Sequence, residues 1–126
     1  MTTIHSYIFR SFLSLLLILG LTVVTHAQTK APKGMEQTIS LKVSGVCGEC
    51  KHRIESTAMD VKGVKKAEWD IKTDMLVCVG SAKMDKQKIA DALAKAGHKS
   101  DLAAADPKGY ANLPACCQYD SGADKH

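Results

Sequence analysis

No catalytic constellation can be assembled from this sequence. It has no Gly-rich phosphate loop, no Ser-His-Asp set can be placed, and its carboxylates are scattered singly. Only 5% of the residues are aromatic, and no basic cluster has aromatics interleaved with it. That excludes nucleic acid as an expected partner. Met35, Met59, Met75 and Met84 are dispersed, so there is no methionine-rich copper motif. The longest apolar run, Phe12 to Val24, stops at 13 residues. A membrane-spanning helix needs roughly 18. These absences point to a binding protein rather than an enzyme.

The short apolar run has a different use. Met1 to Arg10 carries one positive charge and no acid, and Thr25-His26-Ala27 puts small residues at the −3 and −1 places of a cleavage site. Together they form the three-part layout of a secretory signal peptide over residues 1–27. An exported protein, periplasmic or secreted, is expected, touching the membrane only through this peptide. No cysteine follows the expected cut, so no lipid anchor is indicated at Gln28. The rest, from Gln28, has 16 basic and 13 acidic residues, a net charge of +3 spread over the surface.

Residues 28–35 hold Lys30, Pro32, Lys33 and Gly34 and read as a flexible lead. From Gln37 the pattern becomes regular. Ile39, Leu41 and Val43 alternate with polar residues, the period of a half-buried strand. After Gly45 the period turns helical, with Ile54, Ala58 and Val61 on one stripe. Val64 to Ile71 predicts a second strand and Met75 to Val79 a third, joined by Lys72-Thr73-Asp74 as a hairpin. Asp85 offers an N-cap to a second helix with Ile89, Leu93 and Ala96 inward, and Gly97 fits its C′ position. His98 to Leu102 has a weak strand pattern. The order predicts an α+β, ferredoxin-like βαββαβ sandwich over residues 36–102, a four-stranded antiparallel sheet with two helices on one face. Residues 103–126 form a separate tail.

Five cysteines follow the signal segment: Cys47, Cys50, Cys78, Cys116 and Cys117. An odd count rules out full internal pairing. Cys47-Gly48-Glu49-Cys50 falls where the first strand gives way to the first helix. Two thiolates on one tight turn suit a soft ion such as Cu(I) or Zn(II). The helix N-terminus, at roughly +0.5 charge, favours the thiolate form, with Lys51 and Arg53 adding to it. An open loop with two ligands would leave the ion accessible for ligand exchange. The same pair could instead shuttle a disulfide, or form an inert one in an oxidising compartment.

With its Val43-Ser44-Gly45-Val46-Cys47-Gly48-Glu49-Cys50 loop, and with Gly63-Val64 and Ala96-Gly97 as further landmarks, the chain resembles the heavy-metal-associated domain family. That family includes copper chaperones, the metal-binding domains of P-type ATPases and periplasmic mercury-binding proteins. The family pattern is Gly-Met-x-Cys-x-x-Cys. Here Gly45-Val46-Cys47 is one residue shorter and lacks the methionine, leaving Val46 to pack in its place. The resemblance implies a non-enzymatic chaperone or scavenger that holds Cu(I) through Cys47 and Cys50, with Zn(II) or Hg(II) as alternative ions. It implies a membrane metal transporter or P-type ATPase as partner, and a metal-bridged homodimer as a further arrangement. Thiol–disulfide exchange by the same pair is the rival function.

Other residues bear on the site. In the resembled fold His98 lies beside the cysteine turn, as a third ligand, as a hydrogen-bonding support or as a plain loop residue. Cys116 and Cys117 would complete the metal site if the tail folds back. They could equally pair with Cys47, Cys50 or a second molecule, or stay idle. Cys78, between Val77 and Val79, reads as a buried filler. Trp69 reads as packing, and His52 as a surface residue.

Overall fold

The computed structural model describes residues 35–126, so the signal peptide and nearly all of the flexible lead lie outside the described residues. Three strands, β1 (Glu36–Lys42), β2 (Val64–Trp69) and β3 (Met75–Ser81), form an antiparallel sheet in the order β1-β3-β2. Two main helices, α1 (Gly48–Met59) and α2 (Lys86–Lys95), pack against it, and a short α3 (Pro107–Ala111) follows. Two 3-10 turns, Ala115–Cys117 and Tyr119–Ser121, end the chain's regular structure.

The alternation in the sequence fixes the register. Ile39 lies opposite Cys78, and Leu41 opposite Leu76, so the inward residues of β1 and β3 share one face. On β2, Ala67 and Trp69 complete that face across from Cys78 and Leu76. Ile54 and Ala58 of α1 and Ile89 and Leu93 of α2 close the core over it. Trp69 is fully buried as packing, and its indole N–H donates to the Val43 carbonyl at 3.0 Å.

The helix ends follow local chemistry. Asp85 caps α2 by accepting from the Gln87 and Lys88 amides at 2.9 and 3.2 Å. At the other end Gly97 has φ +97°. Its amide donates to the Ala94 carbonyl and the His98 amide to the Leu93 carbonyl. That paired pattern is the Schellman cap, which needs a left-handed residue at C′. It also turns His98 back toward the first loop.

The expected fourth strand does not form. Of His98 to Leu102, only Ser100 bridges the sheet, opposite Val43. The Ser44 amide donates to the Lys99 carbonyl and the Asp101 amide to the Lys42 carbonyl, and then the ladder stops. The Ser100 amide instead donates to the Ala103 carbonyl at 2.8 Å, while its hydroxyl accepts from the Leu102 and Ala103 amides. This tight turn consumes the groups a longer strand would pair. The second strand also ends earlier than expected, at Trp69. There the Asp70 carboxylate accepts from the amides of Lys72 and Thr73 and from the Thr73 hydroxyl, folding the hairpin turn.

Candidate metal centre

The loop after β1 brings Cys47 to the N-cap of α1. Its backbone is extended (φ −143°), and its Sγ accepts from the Cys50 amide at 3.4 Å. Cys50, one turn on, sets its own Sγ 3.3 Å from that of Cys47. Both are free thiols. The approach depends on Gly45, where a Cβ would sit 2.9 Å from the Trp69 ring and 3.0 Å from the Cys50 Cβ. Val46 is buried in the core.

A third thiol joins them. The 3-10 turn Ala115–Cys117 points Cys117 inward, with its Sγ 3.5 Å from that of Cys47. The three sulfurs lie within 4.8 Å of one another, close enough to share one ion. Cys116 faces the other way and is exposed, its Sγ 4.0 Å from that of Cys117.

The open loop expected from the sequence is therefore a closed one. Cys47 is 3% exposed, and Cys50 and Cys117 are 0% exposed. The tail supplies the cover. Leu113 is buried in the core, and the Tyr119 hydroxyl donates to the Gly97 carbonyl while accepting from the Lys99 amide, at 2.9 and 3.0 Å. Lys99 pairs with Asp120 and Lys125 with Asp74. The His126 amide reaches the Val46 carbonyl at 2.8 Å. The first loop and the tail thus hold each other over the thiols.

The thiols are electrostatically unequal. Burial pushes Cys47 up, but the Cys50 amide, the Cys50 and Cys117 thiols and the Glu49 amide outweigh it and hold its pKa below the ordinary thiol value. Burial keeps Cys50 above that value, and burial with its two sulfur neighbours raises Cys117 strongly. Of the three thiols, Cys47 is the one its surroundings most favour as a thiolate. Lys51 contributes less than expected, because its ammonium turns away to Glu55 Oε1 and the Trp69 carbonyl, each at 2.6 Å.

His98 is fully buried but stands outside the three-sulfur group. Its Nδ1 lies 2.9 Å from the Ser44 carbonyl, an acceptor only, so Nδ1 carries the proton. Burial, with the nearby Arg53 charge, holds its pKa below the usual histidine value. A neutral His98 stacked on Tyr119 at 5.9 Å ties the cysteine loop to the tail. Cys78 is buried in β3 as the filler expected, its thiol pushed up to about 11 by burial. His52 is exposed on α1.

Sequence reasoning treated the tail's closure as one option among several. Its signals were present in Gly109, Tyr110, Leu113 and Tyr119, which share no period and gain meaning only in three dimensions.

Comparison with known proteins identifies the domain that carries the cysteine turn. The family described as the heavy-metal-associated domain matches residues 40–99. An oxidized MerP from Ralstonia metallidurans CH34 is 32% identical over 53% of this chain and 96% of its own, with a TM-score of 0.49. A structure described by crosstalk between Cu(I) and Zn(II) homeostasis is 26% identical, covering 53% of this chain and 99% of its own, with a TM-score of 0.50. A copper binding domain from HMA7, a P-type ATPase, is 25% identical over 56% of this chain and 96% of its own, with a TM-score of 0.49. No curated protein sequence matches. The match stops short of the tail, so Cys116 and Cys117 lie outside the shared unit. By the family match and the MerP identity over nearly the whole of that relative, this chain belongs to the heavy-metal-associated domain family.

Proposed function

We propose that this protein is an exported carrier of a soft metal ion, Cu(I), which it takes up through Cys47 and Cys50. One observation carries the reading: two free thiols, 3.3 Å apart, at the N-terminus of α1. Thiolates are soft donors that favour Cu(I), and an ion arriving there displaces their protons. Zn(II) in closed sites takes four ligands, more than the three-sulfur group offers among the described residues. The relative described by crosstalk between Cu(I) and Zn(II) homeostasis supports an ion of this class. The role is carriage or sequestration without catalysis, and the delivery partner is a membrane metal transporter or P-type ATPase. Thiol–disulfide exchange by the same pair is the second reading, favoured by the lowered Cys47 pKa; rapid insulin reduction that depends on Cys47 would support it over metal carriage.

The test is anaerobic competition for Cu(I) between the reduced protein and a chromophoric chelator. Wild type should hold one equivalent. Cys47→Ser and Cys50→Ser should each hold it more weakly than wild type while keeping a wild-type circular-dichroism spectrum. Full retention by both variants would remove the assignment.

A further inference from the structure

The family match ends at residue 99, yet one of the three clustered thiols comes from beyond it. We infer that the tail is a third-ligand arm: Cys117 completes a three-thiolate site with Cys47 and Cys50, and the tail must undock before the ion can leave. This rests on the reading of Cys47 and Cys50 as the ion-binding pair.

The geometry favours a ligand over an idle thiol. Cys117 lies 3.5 Å from Cys47 in sulfur separation, and its burial is complete. Its neighbour Cys116, on the same 3-10 turn, is exposed. The turn therefore selects one thiol of the pair for the cluster. Three sulfurs with no further Cys, His, Asp or Glu ligand atom in the group, among the described residues, suit soft ions that accept three thiolates, Cu(I) and Hg(II) among them.

The same geometry makes release conditional. An incoming thiol cannot reach an ion held among residues at most 3% exposed. The tail, however, is held in part by groups that water can replace. The Lys99–Asp120 and Lys125–Asp74 pairs are partly exposed, and such pairs add little stability. The most specific tether is the Tyr119 hydroxyl, bonded at once to the Gly97 carbonyl and the Lys99 amide. Tail opening would remove Cys117 from the ion and leave the two-thiol loop accessible for exchange.

The experiment uses the full chain, reduced and loaded anaerobically with one equivalent of Cu(I). X-ray absorption counts the sulfur neighbours, and capture by excess chelator gives the release rate. Wild type should show three sulfurs, and Cys117→Ser two. Release from Cys117→Ser should be faster by at least the roughly 10-fold by which losing a mere supporting residue weakens a metal site. Tyr119→Phe should keep three sulfurs and release faster than wild type, whereas Cys116→Ser should match wild type in both. Two sulfurs in wild type, or an unchanged Cys117→Ser, would overturn the arm while leaving the Cys47–Cys50 pair intact. A loss of the third sulfur in Cys116→Ser would overturn the choice of Cys117. Unchanged release from Tyr119→Phe would overturn the gating. Only unchanged Cu(I) affinity in both Cys47→Ser and Cys50→Ser would strike the underlying pair. Circular dichroism of each variant separates ligand loss from unfolding.

Discussion

Replacing Gly109 by alanine tests how the tail is seated. Gly109 lies in α3, against the C-terminal end of α2. A Cβ there would stand 2.4 Å from the Lys95 carbonyl oxygen, about 1 Å short of the 3.4 Å at which ordinary contact begins. The obstacle is backbone and cannot rotate aside, so α3 must move. Gly109 is not among the positive-φ glycines, which leaves the effect purely steric. Overpacking of this kind costs about 1–3 kcal/mol. Alanine recovers about 1 kcal/mol over glycine inside a helix. The global melting point should therefore fall only slightly, while the docked tail loses up to about 2 kcal/mol, a factor of up to roughly 30 in the equilibrium for opening. Native-state labelling with a thiol reagent reads this directly. In the wild-type protein Cys116 alone is exposed and should label fast. In Gly109→Ala, Cys117 should label faster by that same factor. An unchanged Cys117 rate would refute the seating of α3 on α2.

Gly97→Ala should be the more damaging change, because it strains a residue at φ +97° and also drives a Cβ to 2.6 Å from the Gly109 carbonyl oxygen. Backbone strain alone amounts to about 1–3 kcal/mol. A thermal midpoint matching that of wild type would contradict the cap. Cys78 gives a pH signature. Its thiol ionises near 9.0 when unfolded and near 11 in the fold, so the unfolded state sheds its proton first and stability declines as pH rises through that window. The decline attributable to Cys78 reaches about 3 kcal/mol at the upper end. Cys78→Ala should flatten the denaturant-unfolding profile between those pH values, and an identical slope would show that burial does not hold the thiol protonated.

The domain was legible wherever local chemistry decides structure. The switch from the two-residue period of Ile39 and Leu41 to the helical spacing of Ile54, Ala58 and Val61 located the cysteine turn; Leu41, Ile54 and Ala58 are buried, and Ile39 and Val61 are partly buried against the same core. Asp85 and Gly97 marked both ends of α2 because caps depend on single residues. The fourth strand was misjudged because Ser100 can satisfy its neighbours in a turn as well as in a ladder, a competition that no alternation pattern reveals. The openness of the thiols was misjudged for a different reason. Cys117, more than 60 residues away in sequence, lies against both Cys47 and Cys50, through its sulfur and its carbonyl oxygen. The close fit of Gly97 on Gly109 that permits those contacts has no signature in either segment alone.

The central claim meets its most direct test in elemental analysis paired with thiol counting, on protein prepared anaerobically, loaded with Cu(I) and desalted. The account predicts one copper per chain, with the thiols of Cys47 and Cys50 unreactive until a strong Cu(I) chelator frees them. Copper-free protein, or copper that remains bound while both of these thiols react freely, would contradict it.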